Sequence, residues 1–340
     1  PEGLQGRAYY QPGDPGYERD SRDQVARRRE AQLAAMVDGS EPEILTFAPG
    51  ERTHDRWLQR TIGNAGERLG RVRDRVLEGA RLQRHHVVLD LNAGSGLLTW
   101  DILRRAPEGG TWALARERQA AEGMRQQAER LPELARPVVL AGAVAELGEL
   151  LALRGEGDLC FDAVVGRNAL GALPDKAGTL QGLAELLRPD GQISLAETVV
   201  KHTQRLYDLV DLVSLEEDLR RRIVAAEEAI YAGTGDPLIN WEADDLRAAL
   251  EKAGFQEVTL QEESQVSETL VSQPTIDGWF EVGTERERPA YAQHLLERIT
   301  MDELAEVKTL FQRQIAGHMV TWRTRFAFAT GRASGSFGRQ

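Results

Sequence analysis

The stretch Val87–Thr99, which reads VVLDLNAGSGLLT, constrains most strongly what this chain can fold into. An apolar run leads to Asp90, a turn of small residues follows over 92–96, and from Leu97 the apolar residues recur at helical spacing. This pattern predicts a buried strand, a tight turn and a helix start, an arrangement in which backbone N–H groups approach a bound nucleotide. The glycines favour that approach because they lack a Cβ.

Strands and helices alternate after this stretch as far as residue 200. Helical patterns separate the predicted strands, which are Val87–Leu91, Thr111–Ala115, Pro137–Ala141, Phe161–Val165 and Gln192–Glu197. Alternation at this pitch predicts an α/β fold with a doubly wound, mostly parallel sheet. Ligands of such sheets lie at the carboxyl ends of the strands.

The composition of the chain argues against several classes of protein. With 340 residues, the chain has room for one large domain or two. Its formal charge of −12 argues against direct binding of nucleic acid, which requires a basic surface. The single cysteine, Cys160, excludes an internal disulfide and a thiolate metal site, and no apolar run approaches the roughly 18 residues of a membrane span. We expect a cytoplasmic protein.

Three motifs and two later stretches, read together, resemble class I S-adenosylmethionine-dependent methyltransferases. VVLDLNAGSG resembles the first glycine motif of that family, FDAVVGRNAL its fourth strand, and LLRPDGQISLAE its Pro-Gly turn and fifth strand. WEADDLRAALEKAGFQEVTL resembles the penultimate helix and sixth strand, and WRTRFAFATG the seventh. The resemblance covers about residues 50–332. It implies a Rossmann-like sheet of seven strands and S-adenosylmethionine as the cofactor.

The resemblance also implies which residues hold that cofactor. Asp90 and the turn formed by Asn92, Ala93, Gly94 and Gly96 would line its methionine and ribose parts. Asn92 stands where the family has its first loop glycine, and asparagine is among the residues that best tolerate a left-handed backbone.

Two positions depart from the family pattern. Ala115 occupies the place of the acid that binds the ribose hydroxyls, so Glu117 would replace that acid only if the strand end shifts. Ala143 occupies the place of an aspartate that meets the adenine amino group, with Glu146 the nearest acid. Each lost charge-assisted hydrogen bond is worth roughly 1.5–3 kcal/mol. Losing both would weaken binding by on the order of 100-fold or more.

Candidate pocket residues follow the fourth and fifth strands. By the resemblance, Arg167 would face the cofactor, and the Asn168 amide would orient a nucleophile. Glu197 ends the fifth strand and is a candidate base. The alternatives are a polar loop that caps the next helix and a solvated strand end. No metal site is predicted, because adjacent His85 and His86 point to opposite sides.

The remaining chain predicts helical additions to the sheet. Arg205–Tyr231 is predicted as one long helix, Leu270–Arg288 as irregular and Pro289–Met319 as helices. We therefore assign a methyltransferase-like domain to residues 50–332, with helical insertions at 201–235 and 262–321. Residues 333–340 are predicted to be a flexible tail. The sequence leaves a homo-oligomer open.

The first 30 residues carry a separate resemblance. RAYYQPGDPGYE, followed by an arginine-rich helix, resembles the C-terminal tail of replication-associated recombination AAA+ ATPases. We therefore expect residues 1–49 to be the tail and linker of an upstream ATPase domain in a fusion protein, an expectation that Pro1 in place of methionine favours. No Walker motif is present, so no ATPase activity is implied here.

Three functional hypotheses remain. The intact Asp90 and glycine turn favour an active methyltransferase, whose substrate the sequence does not identify. The alanines at 115 and 143 favour a catalytically inactive module that keeps the fold for assembly or ligand sensing. A nicotinamide-dependent enzyme is less favoured, because Thr99 stands where its third glycine belongs.

Overall fold

The computed structural model describes residues 65–94, 96–283 and 289–334. The predicted N-terminal arm and most of the predicted tail lie outside these ranges. The described elements, in chain order, are α1 (Ala65–Gly79), β1 (Val87–Asp90), α2 (Thr99–Arg105), β2 (Gly110–Ala115), α3 (Arg118–Ala128), β3 (Val138–Ala141), α4 (Leu147–Leu153), β4 (Phe161–Arg167), α5 (Lys176–Glu185), β5 (Leu187–Thr198), α6 (Glu217–Ala232), α7 (Ala243–Lys252), β6 (Phe255–Val271), α8 (Gln273–Trp279), α9 (Tyr291–Leu295), α10 (Met301–Ile315) and β7 (His318–Ala333).

The seven strands form one sheet in the order β3-β2-β1-β4-β5-β7-β6. The strands β1 to β5 pair in parallel, whereas β7 pairs antiparallel with both β5 and β6. This arrangement confirms the predicted doubly wound, mostly parallel fold of seven strands.

Alternate residues of the central strands fill two cores, one on each face of the sheet. On one face, Leu89 and Val164 pack with Leu183 of α5 and Leu246 of α7. On the other face, residues of α1 and α2 pack against the sheet in a cluster that includes Val72, Val76, Val88, Ile102, Val165 and Phe326. Helices cover both faces, which explains why the parallel strands read as nearly continuous apolar runs.

A third core joins α6 with α8, α9 and α10 and contacts the sheet at Val271 of β6 and Trp322 of β7. It is built from the aromatic side chains of Trp279, Phe280, Tyr291 and Phe311, together with aliphatic residues of the same helices. These helices therefore pack together as one unit and are not separate additions to the sheet.

The prediction of one helix over Arg205–Tyr231 is wrong in its first half. The helix begins at Glu217, and short 3-10 turns at 207–209 and 212–214 precede it. The backbone N–H groups of Leu206 and Tyr207 donate to the carboxylate of Glu227 on α6. Because this segment folds back onto α6, its apolar spacing does not continue the helix.

The last two strands extend further than their motifs predicted. β6 continues to Val271 and β7 begins at His318, so residues 262–271 and 318–321 belong to the ladder rather than to a helical insertion. The segment predicted as irregular contains α8, where the Ser272 side chain accepts a hydrogen bond from the Thr275 N–H as N-cap.

Two absences bear on function. Within the described ranges, no helix is long and apolar enough to cross a membrane. The same residues contain no group of three or more His, Cys, Asp or Glu side chains that is placed to hold a metal ion.

Candidate functional site

The glycine loop, residues 92–96, follows β1 at the carboxyl edge of the parallel strands. The strand order reverses here, since β2 and β3 lie on one side of β1 and β4 and β5 on the other. Ligands of open α/β sheets bind at such a switch point. The loop therefore has the location that the sequence predicts for a cofactor site.

The side chain of Asp90, at the end of β1, fixes the position of the glycine loop. Its carboxylate is fully buried, accepts a 2.7 Å hydrogen bond from the Thr99 hydroxyl and a 3.4 Å bond from the Asn92 N–H. Burial raises the pKa of Asp90 to about 6, although these hydrogen bonds and the charge of Arg167 oppose the rise. Asp90 thus joins the end of β1 to the first residue of α2.

Two glycines of the loop have different surroundings. A Cβ on Gly94 would meet no atom of the described residues within 4 Å, whereas a Cβ on Gly96 would overlap the Trp100 indole. Gly96 also has a φ of 76°, in the left-handed region that side chains disfavour. Gly96 therefore serves the packing of the loop, and the space beside Gly94 is open to a ligand.

The backbone donors of the loop support this distinction. The Ala93 N–H donates to the Leu114 carbonyl at 2.9 Å, and the Gly96 N–H donates to the Ala93 carbonyl at 2.5 Å. The N–H of Gly94 makes no hydrogen bond to any residue that the structure describes. A ligand beside Gly94 would find both room and a donor.

Trp100 is a residue that the sequence analysis missed. Its indole lies against Gly96, and its Nε1–H is buried without a hydrogen-bond partner in the described part of the chain. Its place in the first turn of α2, four residues after Gly96, was the available signal. An unsatisfied buried donor beside the loop is a further group that a polar ligand would satisfy.

Asn92 connects the loop to the neighbouring strand. Its side-chain amide donates to the carbonyl oxygens of Arg167, at 3.1 Å, and Asn168, at 3.3 Å. A glycine at this position would lack these bonds. The departure from the family pattern therefore adds a contact between the carboxyl ends of β1 and β4.

Asn168 occupies a left-handed backbone conformation, with φ of 49°. Its side-chain oxygen accepts hydrogen bonds from the Thr198 N–H at 2.8 Å and from the Thr198 hydroxyl at 3.0 Å. The amide oxygen is thus directed to the end of β5. These contacts favour a positioning role over the predicted orientation of a nucleophile.

Glu197 is buried and lies against the loop that follows β4. Its carboxylate accepts hydrogen bonds from the backbone N–H groups of Ala169 at 2.8 Å, Leu170 at 3.1 Å and Gly171 at 2.8 Å. Burial raises its pKa, whereas these N–H groups and the nearby charge of Lys176 act in the opposite direction. All described partners are backbone donors, so the geometry favours a structural anchor over the predicted base.

The residues expected to face the ribose and the adenine of the cofactor lie at the ends of β2 and β3. Ala115 is fully buried at the end of β2, and Glu117 is exposed at the N-terminus of α3. The Glu117 carboxylate makes no hydrogen bond or ion pair with any described residue, so it is available to a ligand at this edge. Ala143 is exposed, and its N–H donates to the Glu146 side chain at 2.9 Å.

The strand order 3-2-1-4-5-7-6, with β7 antiparallel, defines the Rossmann-like fold of class I methyltransferases. The glycine loop stands at the corresponding edge of the sheet. The class of fold is therefore established by the architecture of this chain.

Known proteins resemble this chain only weakly. No protein family model and no curated protein matches the chain. Among solved structures, the YcgJ protein from Bacillus subtilis is 14% identical, with a TM-score of 0.45 and coverage of 79% of this chain and 98% of that one. An arsenic(III) S-adenosylmethionine methyltransferase from Chlamydomonas reinhardtii is 16% identical, with a TM-score of 0.39 and coverage of 73% and 63%. At such values, the functions of these proteins do not transfer to this chain.

Proposed function

We propose that residues 50–332, which the structure describes from residue 65 with short gaps, form an S-adenosylmethionine-dependent methyltransferase domain. The observation that carries this proposal is the open space at Gly94, at the switch point of a sheet with methyltransferase topology. Among the described residues, neither the Gly94 N–H nor the indole N–H of Trp100, which lies against Gly96, has a hydrogen-bond partner. A polar ligand beside Gly94 would supply an acceptor for the Gly94 N–H.

The residues present fit this cofactor. Backbone and indole donors suit its polar methionine part. Because β2 ends at Ala115 as the sequence predicted, the strand end has not shifted, and Glu117, which has no partner among the described residues, would meet the ribose hydroxyls only from its exposed place at the start of α3. Asp90 acts through the loop, because its described contacts are with Thr99 and Asn92. Arg167, which is buried and whose charge lowers the pKa of Asp90, belongs to this positioning set.

Bound S-adenosylmethionine supplies an activated methyl group on its sulfonium. Transfer to a good nucleophile requires mainly alignment and exclusion of water. Asn168 and Glu197 support such alignment by fixing the ends of β4 and β5 relative to each other. The bond from the methyl carbon to the sulfonium would break as the bond to the acceptor forms, with the neutral thioether as leaving group. An acceptor that is already deprotonated would require neither residue as a base.

A second candidate is a module without catalytic activity that keeps the fold for assembly or ligand sensing. The alanines at 115 and 143 support it, because each removes an acid that would contact the cofactor. The engagement of Glu197 by three backbone N–H groups supports it as well.

Calorimetric titration with S-adenosylmethionine separates these candidates. We expect micromolar binding by the wild-type chain, and a loss of at least about tenfold in Gly94→Ala, because the new Cβ occupies the ligand space. Gly123→Ala on α3 is the matched control, since its Cβ also meets no atom within 4 Å but lies away from the loop. Absence of heat at about millimolar ligand would exclude the enzyme.

Two further outcomes test the alternatives. Binding that Gly94→Ala leaves unchanged would place the ligand elsewhere. Stabilisation of the folded state by NAD(H), in the absence of any effect of S-adenosylmethionine, would favour the nicotinamide-dependent enzyme instead.

We also propose that an AAA+ ATPase domain precedes this domain in the same polypeptide. The support is the RAYYQPGDPGYE segment within the first 30 residues, which lie outside the described residues. Reading the coding sequence upstream of Pro1 tests the proposal. Walker motifs in the same frame would support it, and an adjacent start codon would refute it.

A further inference from the structure

A cleft of about 370 Å³ opens between β7 and the segment that follows β5. The two walls are joined by backbone hydrogen bonds. The Val199 N–H donates to the Arg325 carbonyl at 2.8 Å, and the Gln204 N–H donates to the Arg323 carbonyl at 2.9 Å. The volume lies in the range of pockets that bind small molecules.

Basic side chains dominate the lining of this cleft. They are Lys201, His202, Arg205, Arg323 and Arg325, and the only acid in the described lining is Glu228. The chain as a whole carries a formal charge of −12. A concentration of basic groups in one cleft of an acidic protein indicates an anionic ligand.

Several of these charges are already balanced. Lys201 and His202 both contact Glu242 at 2.7 Å, and Arg205 contacts Glu228 at 2.8 Å. Glu228 also accepts a hydrogen bond from the Tyr207 hydroxyl. Because Arg205 and Glu228 carry opposite charges, this pair adds no net charge to the cleft.

The two arginines of β7 are less compensated. Arg323 has no ion pair or hydrogen bond from its guanidinium to a described residue, and Arg325 meets Glu262 only at 3.5 Å. Residues two apart on a strand share a face, so both guanidiniums belong to the same wall, about 7 Å apart along the strand. Like charges at this spacing repel each other unless an anion lies between them.

We propose that this cleft binds a small organic molecule through a phosphate group held by Arg323 and Arg325. A guanidinium presents donors in a planar fork that matches phosphate oxygens, and two forks from one strand face suit a dianion. The remaining volume accommodates the organic part, for which Thr203 and Ser264 in the lining offer hydroxyl groups.

The cleft is distinct from the glycine loop but opens on the same edge of the sheet. β5 is the second neighbour of β1, which places the ends of the two strands about 10 Å apart. Phosphate binding in the cleft does not depend on the proposed methyl transfer. It is measurable in the absence of S-adenosylmethionine.

The test is calorimetric titration of the full chain with sodium pyrophosphate at about 150 mM salt, where nonspecific attraction is screened. We expect saturable binding that Arg323→Ala and Arg325→Ala each weaken at least about tenfold. Arg323→Lys restores part of the affinity, because it keeps the charge and loses the fork. Thermal unfolding of each variant verifies that the substitution leaves the fold intact.

Arg221→Ala is the matched control. Its side chain is 70% exposed on α6, outside the cleft, and pairs only with Asp218 among described residues. We expect unchanged affinity in this variant. The proposal is overturned by absence of binding, by equal weakening in Arg221→Ala, or by citrate binding as tightly as pyrophosphate, which would indicate a carboxylate site.

Discussion

The hydroxyl of Thr99 donates a 2.7 Å hydrogen bond to the buried carboxylate of Asp90, across the two ends of the glycine loop. One residue ends β1 and the other begins α2, so this bond fixes the width of the turn between them. Because both side chains are fully buried, water does not replace a lost partner.

Thr99→Val is the first prediction that follows. Valine keeps the shape of threonine and removes the donor, which leaves the Asp90 carboxylate with one fewer hydrogen bond. We expect the free energy of unfolding to fall by about 1–3 kcal/mol at neutral pH, measured by urea denaturation. Thr99→Ser keeps the hydroxyl, so its loss should be smaller. Equal losses in both variants would show that the methyl group contributes as much as the hydrogen bond, and unchanged stability in Thr99→Val would show that the bond contributes nothing.

A pH-dependent prediction concerns Glu227 on α6. Its buried carboxylate accepts hydrogen bonds from the N–H groups of Leu206 and Tyr207, and from the Tyr291 hydroxyl at 2.8 Å. Burial nevertheless raises its pKa from 4.5 to about 7. A carboxyl group whose pKa is raised on folding stabilises the folded state below its unfolded pKa, and this stabilisation is lost as the pH rises through the folded pKa.

The measurement compares wild type with Glu227→Gln, which cannot ionise. The stability of wild type relative to the variant should fall by about 3 kcal/mol between pH 4.5 and pH 8. Urea denaturation at both pH values gives the difference, in which the titration of other groups cancels. A difference that does not change with pH would show that Glu227 titrates alike in both states.

Asn168 supplies a prediction about backbone strain. Asn168→Ala and Asn168→Gly both remove the oxygen that accepts from Thr198, but only alanine also resists the φ of 49°. We expect Asn168→Ala to be less stable than Asn168→Gly by about 1 kcal/mol. Thermal and urea unfolding of the two variants measure this. The opposite order would show that the conformation of residue 168 relaxes in the variants.

How much of this architecture the sequence predicted depends on where the determining contacts lie. β1 and β4 are buried on both faces, so their apolar runs and the glycine turn between β1 and α2 were readable locally. β6 lies at the edge of the sheet, and its residues 261–269, QEESQVSET, include a single apolar residue. No local pattern distinguishes such a strand from an irregular segment.

The candidate site likewise has features that neighbouring residues determine and features that distant residues determine. The sequence correctly indicated that Asp90, Asn92 and the glycines share one turn, because they are adjacent in the chain. The partners of Asn168 and Glu197 lie 26 to 30 residues away, at Thr198 and in the loop 169–171. A sequence motif does not reveal partners at this distance, so the contacts that fix these two side chains could not be predicted.

Glu197→Gln distinguishes the structural role of Glu197 from the predicted catalytic one. The carboxylate accepts from three backbone N–H groups, whereas a glutamine has one acceptor oxygen and turns its NH₂ toward one of these donors. We expect the variant to lose about 2–3 kcal/mol of stability, because a buried N–H is left unsatisfied. Glu185→Gln, an exposed position on α5, should match wild type. If Glu197→Gln instead keeps wild-type stability and loses methyl transfer, then the carboxylate is the base that the sequence suggested, and the anchoring contacts are secondary.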